Sequence, residues 1–524
     1  MQATESAAAR SLAAVDSGYP TPPELHVDVW SDRLKAGNVK APHLLVSLDG
    51  PSERLLEASK RSVNDRAHRT HKDASNDFYR RACWAPDGSA LLALTESQQK
   101  HVIGCSSAGS LEPCVSLNSP SPLLDAIWYP VPALEEPTAE HHPDGQGAAL
   151  SATWCFAESH RDLPTRLTSS RDGSSRANYS IMNHVEKFVG PHSLVFSPDL
   201  SRLYCGLYSA LAVFPLSRPG LNTHSLIPLT SGKRSVGGQR GIVSALAAAA
   251  HPSEPSQELV AVGTFSGNVA VYGFDPTTFP EPTEHTAVQT TPGDDGEPLA
   301  QSSCLAGWRE VEGDGITQLK LHPLTPYVLF VASRRSDSIY VYDIRYLIGD
   351  TSRWQFRPLA QPAGGVRTAH LLARLQRPGG SSNQRLYFDV DWAGRWLATG
   401  DQEGIIHIWR IDTGRFTDHA DVDGKDGQEP EALELTPDLS WKAHGDAVGS
   451  VSFHPYQSWL ASVSGSRHWP DVASEDSESE GESDSDASSS SLEAEAADCR
   501  RRAWSTNDSS LKVWDFSHPP IPSS

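Results

Sequence analysis

A pattern that recurs seven times constrains this chain more than any other feature. Each copy opens with a short alternating strand that closes on an x-Pro or Asp-Gly turn. An apolar strand follows, then a polar turn and a strand ending in an aromatic residue. The copies begin at RRACWAPDGSALLALTES, LLDAIWYP with SATWCFAES, HSLVFSPDLSRLYCGLYSALAVFPL and GIVSALAAAAHP with ELVAVGTFSGNVAVYGFD. They continue at GITQLKLHPLTPYVLFVASRRSDSIYVYDIR, RLYFDVDWAGRWLATGDQEGIIHIWRID and HGDAVGSVSFHPYQSWLASVSGS with SSLKVWDF. Six share a turn proline, at Pro86, Pro130, Pro198, Pro252, Pro323 and Pro455, and the sixth copy has Asp391-Trp392-Ala393-Gly394 there. Proline presets φ and lacks a donor, so it closes a strand cleanly.

Units of this kind bury their apolar faces only by stacking on neighbours. The expected fold class is therefore all-β, a seven-bladed WD40-type β-propeller over residues 76–524. Successive prolines lie 44 to 71 residues apart outside the sixth copy. A blade needs about 40 to 45 residues, so the excess falls in loops. The third strands IIHIWRID, SIYVYDIR, NVAVYGFD and LKVWDF alternate by two, and Trp409, Tyr342, Tyr272 and Trp514 are placed to pack between blades. Asp508, six positions before Trp514, suits a turn carboxylate that accepts backbone N–H groups. Asp337 is one residue off that spacing, and Glu403 and Ser266 occupy it in other copies, which predicts an incomplete aspartate network.

LKVWDF ends eight residues before the last residue, so no fourth strand follows it. The ring-closing strand is expected from the N-terminal segment 21–75, with HLLVSL favoured and ELHVDVW the alternative. Residues 1–20 read as disordered. Residues 277–305 read as a disordered surface insertion between blades four and five, and 415–435 as a polar loop. Residues 471–503 read as an acidic, Ser-rich disordered insertion that splits blade seven between its second and third strands. Between Asp471 and Asp498 there are eleven acidic residues and no basic one, so the net charge of −21 says little about the folded surface. Ser477, Ser479 and Ser483 each precede an acidic residue by three positions and are candidate phosphorylation sites. Arg500-Arg501-Arg502 follows the acids and reads as a counter-charge or a nuclear signal.

No chemistry stands out. There is no P-loop, dinucleotide glycine fingerprint, HExxH or GxSxG. His141-His142 has no partner ligands, and no metal or cofactor is expected. The seven cysteines form no CxxC pair, their odd number and the lack of a secretory leader point to a reducing intracellular compartment, and no apolar run approaches a bilayer span. A non-enzymatic binding scaffold is the expectation, a monomeric propeller without a membrane or small-molecule partner.

Several segments exceed what a propeller needs. FYRRACWAPDGS, DAIWYP, ESHRDLPTRL, YSIMNHVEKFVGPHSLVFSPD and NQRLYFDVDWAG resemble the telomerase Cajal body protein family, over about Phe78 to Ser466. The specific parts are Arg161 to Pro164, Asn183-His184 with Glu186, and Asn383-Gln384-Arg385. The resemblance implies a nuclear protein of Cajal body or nucleoplasm. It would bind small Cajal body or telomerase RNA through the CAB-box loop and help ribonucleoproteins localise and assemble. Arg161, Arg334, Arg335 and Arg385 are the candidate cations for that RNA, with His184 as a stacking group. The alternative is a protein-only adaptor, either a spliceosomal snRNP-associated factor or a cullin-type ligase receptor, the latter on Tyr342-Asp343-Ile344-Arg345, which resembles a WDxR strand end.

Overall fold

The computed structural model describes residues 42–51, 77–135, 151–230, 238–252, 254–280, 300, 303–309, 313–344, 370–414, 432–469 and 504–516. These residues are almost all strand and turn, and apart from one two-stranded sheet their strands form seven sheets, each built on four antiparallel principal strands. This is a seven-bladed WD40-type propeller.

Blade one is built from Tyr79–Trp84, Ala90–Thr95, Lys100–Cys105 and Leu111–Leu117. Blade two is Leu123–Trp128, Cys155–His160, Thr165–Ser169 and Ser175–Ser180. Blade three is Ser193–Phe196, Arg202–Gly206, Ala210–Pro215 and Ser225–Pro228, and blade four is Val243–Ala250, Glu258–Thr264, Asn268–Phe274 and Cys304–Arg309. Blade five is Ile316–Leu321, Val328–Ser333, Ser338–Asp343 and His370–Gln376. Blade six is Asp389–Val390, Trp396–Gly400, Ile405–Arg410 and Leu439–Lys442. Blade seven takes Val448–Phe453, Trp459–Ser464 and Leu511–Asp515, and its outer strand is His43–Leu48. That outer strand runs antiparallel to Leu511–Asp515, from His43 opposite Asp515 to Leu48 opposite Leu511, with one irregularity between Leu44 and Val46. Both ends of the described chain thus meet in one sheet, and the ring closes without an open edge there. ELHVDVW lies outside the described residues.

The third-strand aromatics explain how blades adhere. Tyr272, Tyr342, Trp409 and Trp514 are buried in clusters shared with the preceding blade. Trp514, for example, packs with Trp396, Ile408 and Trp441 of blade six. Period-two alternation gives each third strand two apolar faces, one per neighbour.

Polar clasps add direction to this packing. His322 and His454 close the first turns of blades five and seven. Each Nδ1 accepts backbone N–H groups of its own turn, from Leu324 and Thr325 and from Tyr456 and Gln457. That fixes the proton on Nε2, which donates to the next blade's turn carbonyl, Gly394 at 2.8 Å and Gly88 at 3.2 Å. Both glycines have positive φ, and a Cβ on Gly394 would lie 2.1 Å from the His322 ring. The substitution is excluded on both counts.

Blade seven carries a complete side-chain tetrad. Trp514 Nε1 donates to Ser462 Oγ at 2.8 Å, Ser462 Oγ lies 2.8 Å from His444 Nε2, and His444 Nδ1 faces Asp508 at 3.3 Å. Asp508 also accepts the Gly445 and Ser510 amides. Burial would raise its pKa, but these bonds hold it far below the usual carboxylate range.

Several sequence expectations need correction. The turn carboxylate of blade six is Asp401, not Glu403. Asp401 Oδ1 accepts the Glu403 and Ile405 amides at 2.9 and 2.8 Å, and Oδ2 meets His407 at 3.1 Å. In blade four Thr264 Oγ1 accepts the Asn268 amide, so the turn next to Ser266 is tied by a hydroxyl. The stretch 277–305 lies inside blade four, between its third and fourth strands, because Cys304 already begins the fourth. The polar stretch 415–435 ends in a strand, Leu433–Leu435, that pairs parallel to His370–Gln376. Residues 1–20, 415–431 and 471–503 lie outside the described residues, as do His141-His142 and Arg500 to Arg502.

Candidate RNA-binding face

Antiparallel order gives the ring two faces. One carries the turns between second and third strands and the connections from one blade to the next. The other carries first-to-second and third-to-fourth turns. Arg161 lies in the second-to-third turn of blade two, and Arg334 and Arg335 in that of blade five. His184 lies in the connection from blade two to three, and Arg385 in that from five to six. All five candidates therefore share the first face, although they come from four separate loops.

The three motifs outside the repeat explain how these loops hold their shape. Arg161 sits in a tight turn with Asp162 at φ 59°. Its amide donates to the Pro122 carbonyl, and its carbonyl accepts from Ser121 Oγ at 2.7 Å. The side chain is left exposed. Asn183 folds the next loop: its Oδ1 accepts the Val185 and Lys187 amides at 3.0 Å each, which leaves His184, Val185 and Lys187 in solvent. Asn383 Oδ1 accepts from Arg335 Nε at 2.6 Å, and Gln384 Nε2 donates to the Gly465 carbonyl of blade seven at 2.8 Å.

Arg335 also pairs with Asp314 at 2.7 Å, an exposed pair of small net worth. Arg334 is half-buried, and its Nη2 reaches the Asp314 carbonyl at 3.4 Å. Arg385 turns inward across the channel mouth, with its guanidinium 5.0 Å from the Phe265 ring centre of blade four. Burial lowers the pKa of His192 below the usual imidazole range, and Arg385 and Arg161 push it the same way. Both arginines therefore act on one point of this face.

Four residues that do not stand out in the sequence share this face. Tyr208 and Trp469, 72% and 55% exposed, stand on the same face in the second-to-third turns of blades three and seven. Arg81 and Tyr387 line the channel mouth. An arginine inside the apolar inner strand YRRACW was a signal for Arg81. Next to Trp469, Arg467 pairs with Glu96 and lies 5.4 Å over Trp504.

The described residues hold no group of three His, Cys, Asp or Glu side chains able to bind a metal, and no helix long and apolar enough to cross a membrane. Fold and face together define a WD40 scaffold. No family model matches the chain. Over 77% of its length it is similar to telomerase Cajal body protein 1, at 27% identity to the protein of Rattus norvegicus and 26% to that of Homo sapiens. The resemblance to the telomerase Cajal body protein family thus extends over most of the chain. The match spans 62% of the rat relative and 59% of the human one. It is also similar, at 26% over 64% of the chain and 71% of the relative, to guanine nucleotide-binding protein negative regulator 1 of Schizosaccharomyces pombe.

Proposed function

We propose that this chain is a nuclear scaffold that binds small non-coding RNA, of small Cajal body or telomerase type, through a CAB-box loop, and assists ribonucleoprotein localisation or assembly. The observation that carries the proposal is the shared face of Arg161, His184, Arg334, Arg335 and Arg385 with two exposed aromatics, Tyr208 and Trp469. Unstacked bases of an RNA loop need flat partners, and their phosphates need cations. This face supplies both. The similarity to proteins named telomerase Cajal body protein 1 supports a telomerase or Cajal body setting for this reading.

Residues 470–503, which lie outside the described residues, fall in the sequence between Trp459–Ser464 and Leu511–Asp515. We propose that phosphorylation of Ser477, Ser479 and Ser483, which lie outside the described residues, deepens the negative charge of this acidic stretch and weakens RNA binding.

The protein-only reading has less support from its own motif. Tyr342, Asp343 and Ile344 are buried, and Arg345 lies outside the described residues. The test is fluorescence anisotropy with a small guide-RNA hairpin. Arg161→Ala with Arg385→Ala should lower affinity at least tenfold in a protein that still melts cooperatively. Unchanged affinity rejects the RNA reading.

A further inference from the structure

The mouth of the central channel gathers two half-buried guanidinium groups and a phenol around one carboxylate. Arg81 comes from the inner strand of blade one, Asp125 from that of blade two, Phe265 from a turn of blade four, and Arg385 and Tyr387 from the entry to blade six. Arg385 Nη1 donates to Tyr387 Oη at 3.3 Å. The Arg81 guanidinium covers the Tyr387 ring at 4.8 Å. Two cations thus bracket one phenol.

Their only carboxylate neighbour among the described residues is Asp125, and its oxygens are already used. Oδ1 accepts from Arg81 at 2.9 Å and from the Ala126 amide, and Oδ2 accepts the Leu194 amide. A guanidinium has five N–H donors, yet Arg385 makes one side-chain bond among the described residues, to Tyr387. Tyr387 Oη accepts that bond, so its own hydrogen points elsewhere and meets no acceptor among the described residues. Arg161 adds a third cation at the rim. The imbalance shows in the titration of the cluster. Burial raises the Tyr387 phenol, but Arg385 and Arg81 outweigh it and hold the pKa below the usual phenol range.

A partly buried site with excess positive charge, excess donors and few acceptors calls for a ligand that is anionic and rich in acceptors. We propose that the channel mouth is a phosphate site, in which Arg385, Tyr387 and Arg81 hold one phosphodiester group of the bound RNA on the propeller axis. Arg385 has the free fork that grips two phosphate oxygens, the Tyr387 hydroxyl donates to one of them, and Arg81 contributes charge while it stays on Asp125. Phe265 and Asp125 fix the two guanidinium planes. The proposal rests on the RNA reading above and adds what it lacks, a fixed point for the strand.

The test uses the full chain and a guide-RNA hairpin, with affinity measured at several salt concentrations. Tripolyphosphate serves as an RNA-free probe, read by the shift in melting temperature. Arg385→Gln should weaken RNA binding about tenfold, equally for different loop sequences, and flatten the log–log salt slope by about 0.7. Tyr387→Phe keeps the ring under Arg81 and should weaken binding a few-fold with the salt slope unchanged. It also remains informative if Arg385→Gln fails to fold. Wild-type affinity and slope in both variants, with Arg335→Gln still weakened, overturn the axial phosphate and leave the RNA reading standing. If the wild type binds no RNA, the RNA reading falls and tripolyphosphate decides alone. A stabilising shift lost in Arg385→Gln upholds the phosphate site, and no shift in the wild type overturns it.

Discussion

Removing residues 1–75 should destabilise the entire propeller. His43–Leu48 is the outer strand of blade seven, and its partner Leu511–Asp515 would become an open edge. Leu45, Val46 and Leu48 are partly buried against a cluster that includes Trp459, Val463, Leu511 and Val513. Half-burial of three such side chains is worth about 3 kcal/mol, and the lost ladder adds about 1 kcal/mol net. Unfolding entropy is about 2 cal/mol/K per residue, so over roughly 400 propeller residues about 4 kcal/mol becomes a fall of about 5 °C in melting temperature. Thermal melting followed by circular dichroism measures this directly. The bared edge should also make the truncated protein associate as its concentration rises, seen by light scattering. A melting temperature within about 1 °C of the full chain, with no added association, would refute the closing role of this strand.

The remaining expectations concern buried polar groups and the exposed aromatics. Ser462→Ala deprives the buried Trp514 and His444 nitrogens of their shared partner, and should cost about 2 kcal/mol in chemical denaturation; an unchanged midpoint would mean the tetrad contributes nothing. His160, His224 and His454 are buried, and burial, joined by Lys100 for His160 and opposed by the Gly88 bond for His454, lowers each pKa to about 4. The unfolded chain therefore takes up protons first. Stability is full above pH about 6.5 and is lost as pH falls toward about 4, by up to about 3 kcal/mol per histidine. Melting temperatures recorded across that range should decline, less so in His160→Gln, and a flat profile contradicts the assignment. Tyr208→Ala and Trp469→Ala should each cost about 1 to 3 kcal/mol of RNA affinity without moving the melting temperature, and equal affinity removes these rings from the site.

Blade count and core were legible because burial on two sides forces period-two alternation. The third strands around Trp409, Tyr342, Tyr272 and Trp514 carried that signal, and all four aromatics are buried between blades. The turn carboxylate of blade six was misread because spacing from the aromatic was counted rigidly. Asp401 sits two residues before Glu403 and reaches the same turn amides. Cys304–Arg309 was hidden because a Pro- and Thr-rich stretch precedes it, so a strand start inside a polar run looked like more loop. Histidines such as His322 and His454 were visible as His-Pro pairs, but their bonds to the next blade depend on a contact no single repeat contains.

At the candidate site, Arg161 and Arg385 stood out in the sequence because they fall in segments that a propeller does not require. Their shared face was not, since it follows from strand order around the ring. Arg81 and Tyr387 were hidden for a related reason: they lie 306 positions apart in the chain and meet only once the ring closes beside the inner strand of blade seven.

Whether RNA lies on the face of Arg161 and Arg385 is decided by ultraviolet crosslinking of the full chain to a guide-RNA hairpin, with crosslinked peptides located by mass spectrometry. Leu324, Trp392 and Tyr456 are exposed in first-to-second turns on the opposite face and serve as an internal control. Crosslinks are expected in peptides bearing Arg161, His184, Tyr208, Arg335, Arg385 and Trp469, and none in those bearing the control residues. Crosslinks confined to the Leu324, Trp392 and Tyr456 turns would contradict that placement.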